Sequence, residues 1–372
     1  MHARPFQRAL VLGATGMIGA HAVRSCLARG IAVRALVRPT SERRLLEQLA
    51  QESQASGAPG IEYAVGDLGD PASLTRALEG CDLAIHAAAP YPRKHFGKKA
   101  FLEAAAHGMR NFLDAARATV GAETEALDSA TPGTRAGATD ALARGAAAST
   151  LRRIVYVSSS TTIGLSPTPG RPANEDDLSR VPDDSPYFAV KFLLEDMASD
   201  AARAGLPVVI VNPTLCVDEY DDHRTTAMLL IPLARNKLPA FLKGVVNAVA
   251  TRDVGEGILL AALRGRPGRR YILGGENLST RGLLERCAKV AGVKPPRMTM
   301  PIGLAQPISM ATELLARLTG TFPLFPMSGV RMSRWSQPYS IERAREELGY
   351  APTPLDPAIE RAYAWYRARG WL

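Results

Sequence analysis

The sequence has few cysteines and no long apolar run. Its 372 residues include 4 cysteines, Cys26, Cys81, Cys216 and Cys287, which lie far apart without a C-x-x-C pair. Because disulfide frameworks are dense in cysteine and zinc sites use closely spaced ligands, we expect neither, and the chain is typical of a reducing compartment. No apolar stretch approaches the roughly 18 residues that a membrane helix needs. The first residues also lack the hydrophobic region of a signal peptide, so we expect a cytoplasmic protein without a membrane span.

The composition excludes several other classes of protein. Hydrophobic residues make up 46% and charged residues 22%, with 32 Gly and 27 Pro. These values are ordinary for a globular protein and argue against collagen, coiled coil or general disorder. The net charge of +9 suits anionic ligands, but it is spread along the chain, so we expect no nucleic-acid partner.

The first half of the chain alternates short apolar runs with helical patterns, which is typical of βαβ units. The runs are rich in Val, Ile and Leu, as expected for strands that are buried on both faces. We therefore predict an α/β fold with a doubly wound parallel sheet. The predicted strands are Arg8–Leu12, Ala32–Val37, Glu62–Val65, Leu83–His86, Arg152–Val157 and Val208–Val211.

Two changes in composition suggest the domain organisation. Residues 121–149 are rich in Ala, Gly, Thr and Ser, which predicts a mobile surface insertion, with a poorly amphipathic helix as the alternative. After residue 214 the alternation gives way to helices and Pro-rich connections. We expect a dinucleotide-binding domain at 1–214 and a smaller, mainly helical substrate lobe at 215–372. Within that lobe, residues 245–264 are expected to pack back on the first domain.

A glycine-rich turn follows the first predicted strand. It contains Gly13, Thr15, Gly16, Met17, Ile18 and Gly19 and leads directly into a helical pattern. Glycines allow a sharp turn and a close approach of the backbone to a pyrophosphate, and the free N–H groups of the new helix bind the anion. Because the strand and the helix supply the required context, we predict a Rossmann-type dinucleotide site, with a purely structural turn as the alternative.

The end of the second predicted strand indicates which dinucleotide binds. Arg38 stands there, followed by Ser41 and Arg43, and no Asp or Glu occupies the strand end. An acid at this place binds the ribose 2′-hydroxyl of NAD, whereas an arginine accommodates a 2′-phosphate. The sequence therefore predicts NADP(H) as the cofactor. The alternative is that these arginines are solvated charges at the start of a helix.

Two further strand ends carry candidate cofactor contacts. Asp67 and Leu68 follow the third strand, where the acid is placed to accept a hydrogen bond from the adenine amino group. Ala87, Ala88 and Ala89 follow the fourth strand. Their small side chains let a cofactor lie against the backbone at the carboxyl end of the sheet.

A Tyr-x-x-x-Lys pattern supplies candidate catalytic groups. Tyr187 and Lys191 are four residues apart, so a helix places them on one face. An ammonium group beside a phenol favours the phenolate, which allows proton exchange with a substrate oxygen near neutral pH. Ser158, Ser159 and Ser160 end the fifth strand, and one of these hydroxyls is placed to hold the reacting oxygen. A helix surface without function is the alternative.

Taken together, these motifs resemble the extended short-chain dehydrogenase/reductases. Within them the chain is most similar to the group of dihydroflavonol reductases, 3β-hydroxysteroid dehydrogenases and hopanoid-associated sugar epimerases. The resemblance covers nearly the whole chain apart from residues 121–149. It depends on Gly13–Gly19, Leu36–Ser41, Gly66–Leu68, Tyr187 with Lys191, Val211–Thr214, Arg270–Asn277 and Glu347–Tyr350.

The resemblance implies a role for each matching residue. Tyr187 would be the proton donor and acceptor, and Lys191 would tune it while binding the nicotinamide ribose. The catalytic hydroxyl would be Ser159, with Ser160 as the alternative, and Pro213 would lie at the nicotinamide carboxamide. One departure stands out, because Ala105 occupies the place of an asparagine that helps to relay protons in the family. Either water replaces that asparagine or proton transfer is slower.

We therefore predict an NADP(H)-dependent oxidoreductase that interconverts a ketone and a secondary alcohol, without a metal. The substrate is expected to be a small molecule, and the basic run Arg93–Lys99 suggests an anionic one, unless it is a solvated loop. One alternative is a sugar epimerase that keeps its NAD(P) tightly bound. Another is a non-catalytic dinucleotide sensor. A homodimer is expected only by analogy with the superfamily.

Overall fold

A computed structural model describes residues 6–55, 57–88, 97–120, 151–178, 185–222, 224–319 and 327–372. Its first part alternates strands with helices. These elements are β1 (Arg8–Leu12), α1 (Met17–Ala28), β2 (Ala32–Val37), α2 (Arg44–Ala55), β3 (Ile61–Val65), α3 (Pro71–Leu78), β4 (Leu83–His86), α4 (Lys98–Thr119), β5 (Arg153–Val157), α5 (Pro186–Arg203) and β6 (Val208–Pro213). A single 3₁₀ turn, Ser160–Thr162, follows β5.

The later part of the chain mixes helices with short strands. These elements are β7 (Leu215–Val217), α6 (Ala227–Ala234), β8 (Ala240–Leu242), β9 (Val245–Ala250), α7 (Thr251–Arg264), β10 (Arg270–Leu273), β11 (Glu276–Ser279), α8 (Thr280–Ala291), β12 (Met298–Met300), α9 (Ile302–Thr319), α10 (Met327–Arg334) and α11 (Asp356–Ala368). None of the helices in the described ranges combines the length and the hydropathy that crossing a bilayer requires.

Seven parallel strands form the main sheet, in the order β10-β6-β5-β4-β1-β2-β3. This order confirms the predicted Rossmann-type fold. The six predicted strands are present, each within two residues of its predicted bounds. The seventh strand, β10, was not predicted. It joins the sheet beside β6, pairing Arg270 with Ile210. More than fifty residues separate the two strands in the chain, so a local pattern does not reveal this pairing.

Side chains of β1 show why the sheet is covered on both faces. Successive residues of a strand point to opposite faces. Ala9 and Val11 lie in the core that α1, α2 and α7 cover. Leu10 and Leu12 lie in the core that α3, α4 and α5 cover. All four are fully buried, so the apolar run of this strand reflects its two helical layers.

Most of the remaining elements form a third core. β7, β9 and β11 make a three-stranded sheet, β8 and β12 a two-stranded one, and α6, α8 and α11 pack around a separate apolar cluster. The last helix of the chain, α11 (Asp356–Ala368), buries Ile359, Tyr363 and Tyr366 in this cluster. α7 packs against α1, where a Cβ on Gly255 would lie 2.5 Å from the carbonyl oxygen of His21. The division at residue 214 stays a prediction, as does the insertion, whose residues 121–149 lie outside the described ranges.

Candidate active site

The glycine-rich turn lies where the strand order of the main sheet reverses, between β1 and β4. Ligands of open α/β sheets bind at such a point, outside the carboxyl ends of the strands. Gly13 follows β1 directly and has a φ of +78°, which favours glycine. Its carbonyl oxygen accepts a hydrogen bond from the Gly16 amide at 3.0 Å, and Gly16 is the N-cap of α1. The turn thus delivers the N-terminus of α1 to the binding edge of the sheet.

Two glycines of this turn have no room for a side chain. A Cβ on Gly19 would lie 2.7 Å from the carbonyl carbon of Gly13, and a Cβ on Gly13 would lie 2.6 Å from the amide nitrogen of Ala88. The backbone is therefore packed closely around a concave turn at a helix N-terminus, which is the arrangement that a pyrophosphate requires. Residues of this chain fit the dinucleotide that the sequence predicts.

The other predicted residues of the turn and of the fourth strand end border the same place. Thr15, Met17 and Ile18 are half-buried. The side chains of Met17 and Ile18 pack against the core that α1, α2 and α7 cover. Ala87 and Ala88 are half-buried directly after β4. Ala89 lies outside the described residues.

Of the residues at the end of β2 that are predicted to bind a 2′-phosphate, only Arg38 is exposed. The amide of Arg38 donates to Ser41 Oγ at 3.1 Å, which tightens the loop. Arg43 is engaged elsewhere, since its guanidinium lies over the ring of Tyr63 at 5.3 Å. Of the two predicted arginines, Arg38 is therefore the better placed for a phosphate.

The loop after β3 is held by its neighbours. Asp67 is exposed, and its Oδ1 accepts the Gly69 amide at 2.8 Å. The carbonyl oxygen of Leu68 accepts Asn111 Nδ2 at 2.8 Å, and a Cβ on Gly108 would lie 3.0 Å from Leu68 Cβ. These contacts fix Leu68 against α4 at the carboxyl end of the sheet.

The three predicted catalytic residues come together at the ends of β5 and α5. Ser159 Oγ lies 3.5 Å from Tyr187 Oη. Of the two candidate hydroxyls, the structure thus brings Ser159 to the tyrosine, while Ser160 begins the 3₁₀ turn. One helical turn after Tyr187, Lys191 Nζ donates to the carbonyl oxygen of Ser158 at 3.3 Å. Burial lowers the pKa of Lys191 to about 8, and the carboxylate of Glu195 opposes this shift.

Behind these residues lies a buried polar network that the sequence analysis did not predict. Asn212 Nδ2 is within hydrogen-bond distance of three acceptors, Ser159 O at 3.1 Å, Thr162 Oγ1 at 2.9 Å and Glu195 Oε2 at 2.7 Å. Thr162 Oγ1 donates to the same carboxylate oxygen at 2.6 Å. The other oxygen of Glu195 accepts Arg270 Nη1 at 3.0 Å. This network joins α5, β6 and β10 to the backbone that carries the Ser159 hydroxyl.

A segment far along the chain covers the loop after β5. The side chain of Gln337 accepts the Ser166 amide at 3.1 Å and donates to the carbonyl oxygen of Gly164 at 2.9 Å. Tyr339 Oη donates to the carbonyl oxygen of Ser160 at 3.2 Å. Burial raises the pKa of Tyr339, so its phenol stays a donor. The only sequence signal for this contact is a polar pair after a helix, which is too common to identify it.

The remaining predicted residues are placed as follows. Pro213 is buried as the last residue of β6, and Ala105 is buried in α4. Of the basic run, 93–96 lie outside the described residues. Lys98 and Lys99 are exposed in the first turn of α4, with Lys99 Nζ 4.0 Å from Glu103.

One cluster in the described residues contains side chains typical of a metal site. His21, Asp218 and Glu219 lie close together and are buried. Both oxygens of Asp218 accept the guanidinium of Arg361, at 2.6 and 2.9 Å, and Glu219 accepts Arg252 Nε at 2.8 Å. Because guanidinium groups already occupy the carboxylates, this cluster is an ion-pair network at the junction of the third core with α1.

Comparison with known proteins places this geometry in a family. The family model described as "NAD dependent epimerase/dehydratase family" matches residues 9–274. A Synechocystis protein with the provisional name dihydroflavonol 4-reductase is 31% identical over 97% of this chain and 95% of its own. A Stigmatella aurantiaca protein, 4-hydroxy-2-methyl-3-oxo-4-farnesyl-3,4-dihydroquinoline-1-oxide ketoreductase, is 29% identical over 92% of each chain.

A solved structure supports the same family assignment. The crystal structure of PA4631, a nucleoside-diphosphate-sugar epimerase from Pseudomonas aeruginosa, superimposes with a TM-score of 0.73 at 28% identity, covering 98% of this chain and 99% of the other. The match extends over both the main sheet and the later part of the chain. This chain therefore belongs to the NAD dependent epimerase/dehydratase family of enzymes, within the extended short-chain dehydrogenase/reductases that its motifs resemble.

Proposed function

We propose that this protein is an NADP(H)-dependent oxidoreductase that interconverts a ketone and a secondary alcohol. The observation that carries the proposal is the approach of Ser159 Oγ to Tyr187 Oη at 3.5 Å, with buried Lys191 one turn behind. Two hydroxyls at this distance can both hydrogen-bond one substrate oxygen. Two relatives are named as a reductase and a ketoreductase, which supports the reduction of a ketone.

Each of the three residues then has a distinct task. The chemistry that NADPH would supply when bound is a hydride for the carbonyl carbon. Ser159 Oγ donates a hydrogen bond to the carbonyl oxygen and orients it, while Tyr187 Oη transfers its proton to that oxygen as negative charge develops. The Lys191 ammonium stabilises the phenolate that remains. Since the pKa of Lys191 is about 8, most of this side chain is charged at neutral pH.

The glycine turn, the strand ends and Arg38 would hold the cofactor. Gly13, Gly16 and Gly19 leave room for the pyrophosphate at the N-terminus of α1, and exposed Arg38 would pair with a 2′-phosphate. This last contact is tested by Arg38→Ala, which should raise the KM for NADPH at least about tenfold and leave that for NADH nearly unchanged. The matched control is Arg44→Ala, at an exposed arginine that pairs with Glu42. Equal turnover of the wild type with NADH and NADPH would disprove the preference.

The decisive experiment is NADPH oxidation against a panel of ketones that spans sugars, steroids, flavonoids and 3-oxoacyl compounds. With an active ketone, Tyr187→Phe should lower kcat by about 10²- to 10⁴-fold, because the general acid is lost. Ser159→Ala should also lower kcat, with cofactor affinity retained. Tyr63→Phe is a matched control, since Tyr63 stacks under Arg43 away from the three residues. Full activity of Tyr187→Phe would disprove the proposal.

A sugar epimerase is the second candidate, favoured by the likeness to the Pseudomonas epimerase. Such an enzyme returns the hydride to its substrate, so it would purify with tightly held cofactor. It would also show no net change of absorbance near about 340 nm, where reduced nicotinamide absorbs. A non-catalytic sensor would instead keep its biological output after Tyr187→Phe.

We also propose a substrate lobe, a class of substrate and a cellular location for this protein. The third core within residues 215–372 would form most of the substrate lobe, and the substrate would be a small ketone or alcohol, anionic if the basic run faces it. A cytoplasmic location is supported by the four cysteines, which are all buried and lie outside any disulfide. Thiols persist in this form in reducing compartments.

A further inference from the structure

Helix α9 is amphipathic, but its apolar face points outward. Leu304, Pro307, Ala311, Leu314 and Leu318 recur at spacings of three and four, so they form one stripe along the helix. All five are exposed, and the leucines at 314 and 318 are exposed by 59% and 78%. Further exposed apolar side chains on the helix or just before it are Met298, Ile302, Ile308, Met310 and Leu315.

A narrow side of small and polar residues on the same helix faces the protein. Ala305 and Ser309, four residues apart, are fully buried. Glu313 Oε1 accepts the amide of Met327, the first residue of α10, at 2.9 Å. Gln306 Oε1 accepts Arg334 Nη2, from the end of α10, at 2.6 Å. In the described residues α9 therefore faces the protein with small and polar side chains, whereas a helix of an ordinary soluble domain buries its apolar stripe.

Basic residues surround this helix in the sequence. Between residues 289 and 334 the only acidic residue is Glu313, whose carboxylate is turned to the N-terminus of α10. The exposed side chains include Lys294 and Arg297, which precede β12, and Arg334. The basic residues of this stretch are Lys289, Lys294, Arg297, Arg317, Arg331 and Arg334. An exposed apolar stripe thus stands in a strongly cationic segment.

We propose that the apolar stripe of α9 docks this protein on the surface of an anionic lipid bilayer. Helices that lie in a membrane interface combine an apolar face with Lys and Arg, because the acyl region takes up the apolar side chains while anionic headgroups attract the basic ones. A second copy of the chain is the main competing occupant. In a two-fold contact the same surface meets itself, so the cationic segments would face each other and repel. The bilayer provides a complement to both features.

The test is flotation of the full-length protein with vesicles. We expect binding to phosphatidylcholine vesicles that contain about one-third phosphatidylglycerol, weaker binding to phosphatidylcholine alone, and less binding as salt rises from about 0.1 M to about 0.5 M. Replacing Leu314→Glu together with Leu318→Glu should reduce the bound fraction at least about tenfold, because it puts charges into the apolar stripe.

Leu178→Glu is the matched control, because Leu178 is a similarly exposed leucine, 74% accessible, outside α9. It should bind vesicles as the wild type does, and all variants should keep the wild-type melting temperature, since the changed side chains are on the surface. The proposal is overturned if the wild type stays in the soluble fraction with both vesicles, or if the double variant floats equally well. It is also overturned if the wild type is a dimer that the double variant converts to monomers without vesicle binding, since a second copy then covers the stripe.

Discussion

The side-chain amide of Asn212 donates to the backbone carbonyl oxygen of Ser159 at 3.1 Å. Asn212 is fully buried on β6, whereas Ser159 lies at the carboxyl end of β5. This contact therefore links two neighbouring strands at the point where the Ser159 hydroxyl meets Tyr187. Because the same amide also meets Thr162 and Glu195, one buried side chain helps to fix the start of this loop.

Asn212→Ala should lower kcat with the active ketone by about tenfold or more, because a loop displaced by even about 1 Å misplaces the Ser159 hydroxyl. It also leaves the Glu195 carboxylate without one buried donor, which should cost roughly 1–3 kcal/mol of unfolding free energy. The dissociation constant for NADPH should change less than kcat, since the glycine turn that would hold the pyrophosphate follows β1, three strands away from β6 in the sheet. Steady-state kinetics, cofactor titration and thermal unfolding measure the three effects. An unchanged kcat in a folded variant would show that the contact does not position Ser159.

Glu195→Gln should move the alkaline limb of the kcat–pH profile to lower pH. Burial lowers the pKa of Lys191 to about 8, while the negative charge of Glu195 raises it. Removing that charge lowers the pKa further, so the ammonium form is lost at a lower pH. Profiles of kcat report groups in the enzyme–substrate complex. Asp196→Asn, at the exposed neighbouring carboxylate on α5, should leave the limb in place. A limb that stays fixed in Glu195→Gln would contradict the role of Lys191.

Gly19→Ala should raise the dissociation constant for NADPH at least about tenfold, because the new methyl group forces the Gly13 backbone away and distorts the anion site. The added Cβ would lie 2.7 Å from the carbonyl carbon of Gly13. Gly60→Ala is the control, since its methyl group meets only Gln54 Nε2 at 3.9 Å. Fluorescence titration needs no substrate, so it tests the cofactor site separately from the reaction. Wild-type affinity in Gly19→Ala would place the dinucleotide elsewhere.

His86→Phe should reduce the sensitivity of the fold to acid. Burial lowers the pKa of His86 to about 4, and its ring meets that of Phe112 edge to face, with the centroids 4.8 Å apart. In the unfolded chain a histidine has a pKa near 6.5. Between about pH 6.5 and about pH 4 the unfolded state therefore binds more protons, so the unfolding free energy falls as the pH falls through this window.

The variant should lose less stability across this window than the wild type, by at most about 3 kcal/mol. Urea unfolding at about pH 7 and about pH 4.5 measures the difference. His21, whose pKa burial also lowers to about 4, is unchanged and supplies part of the remaining sensitivity. Equal acid sensitivity in both proteins would show that His86 is not buried as the structure has it.

Local patterns predicted much of the fold and part of the candidate site. The strands were predictable because a strand buried on both faces needs a short run of apolar residues, which a few neighbours reveal. The turn at Gly13–Gly19 was predictable because a sharp turn, a close approach and a helix start each require glycine at a fixed offset. Tyr187 and Lys191 were paired by helical spacing alone.

Other features depend on contacts between residues that are far apart in sequence. Ser159, rather than Ser160, meets Tyr187 because the 3₁₀ turn and Asn212 set the direction of the loop. β10 enters the sheet after a long excursion, and Tyr339 reaches the carbonyl oxygen of Ser160 from 179 residues away. No local pattern encodes such pairings, because the sequence around each of these residues is not distinctive. The contacts form only when the topology brings distant segments together.

What the sequence determined by itself is the set of local geometries: buried strands, the glycine turn, a helix with phenol and ammonium on one face, and a chain without close cysteines. What only the tertiary structure decided is which of these groups share a site and which surfaces stay open. The reason is that backbone preferences act over a few residues, whereas the Glu195 network and the outward stripe of α9 arise from packing between whole elements. The same leucine pattern would predict a buried helix, whereas in the structure α9 turns Ala305, Ser309 and Glu313 to the protein.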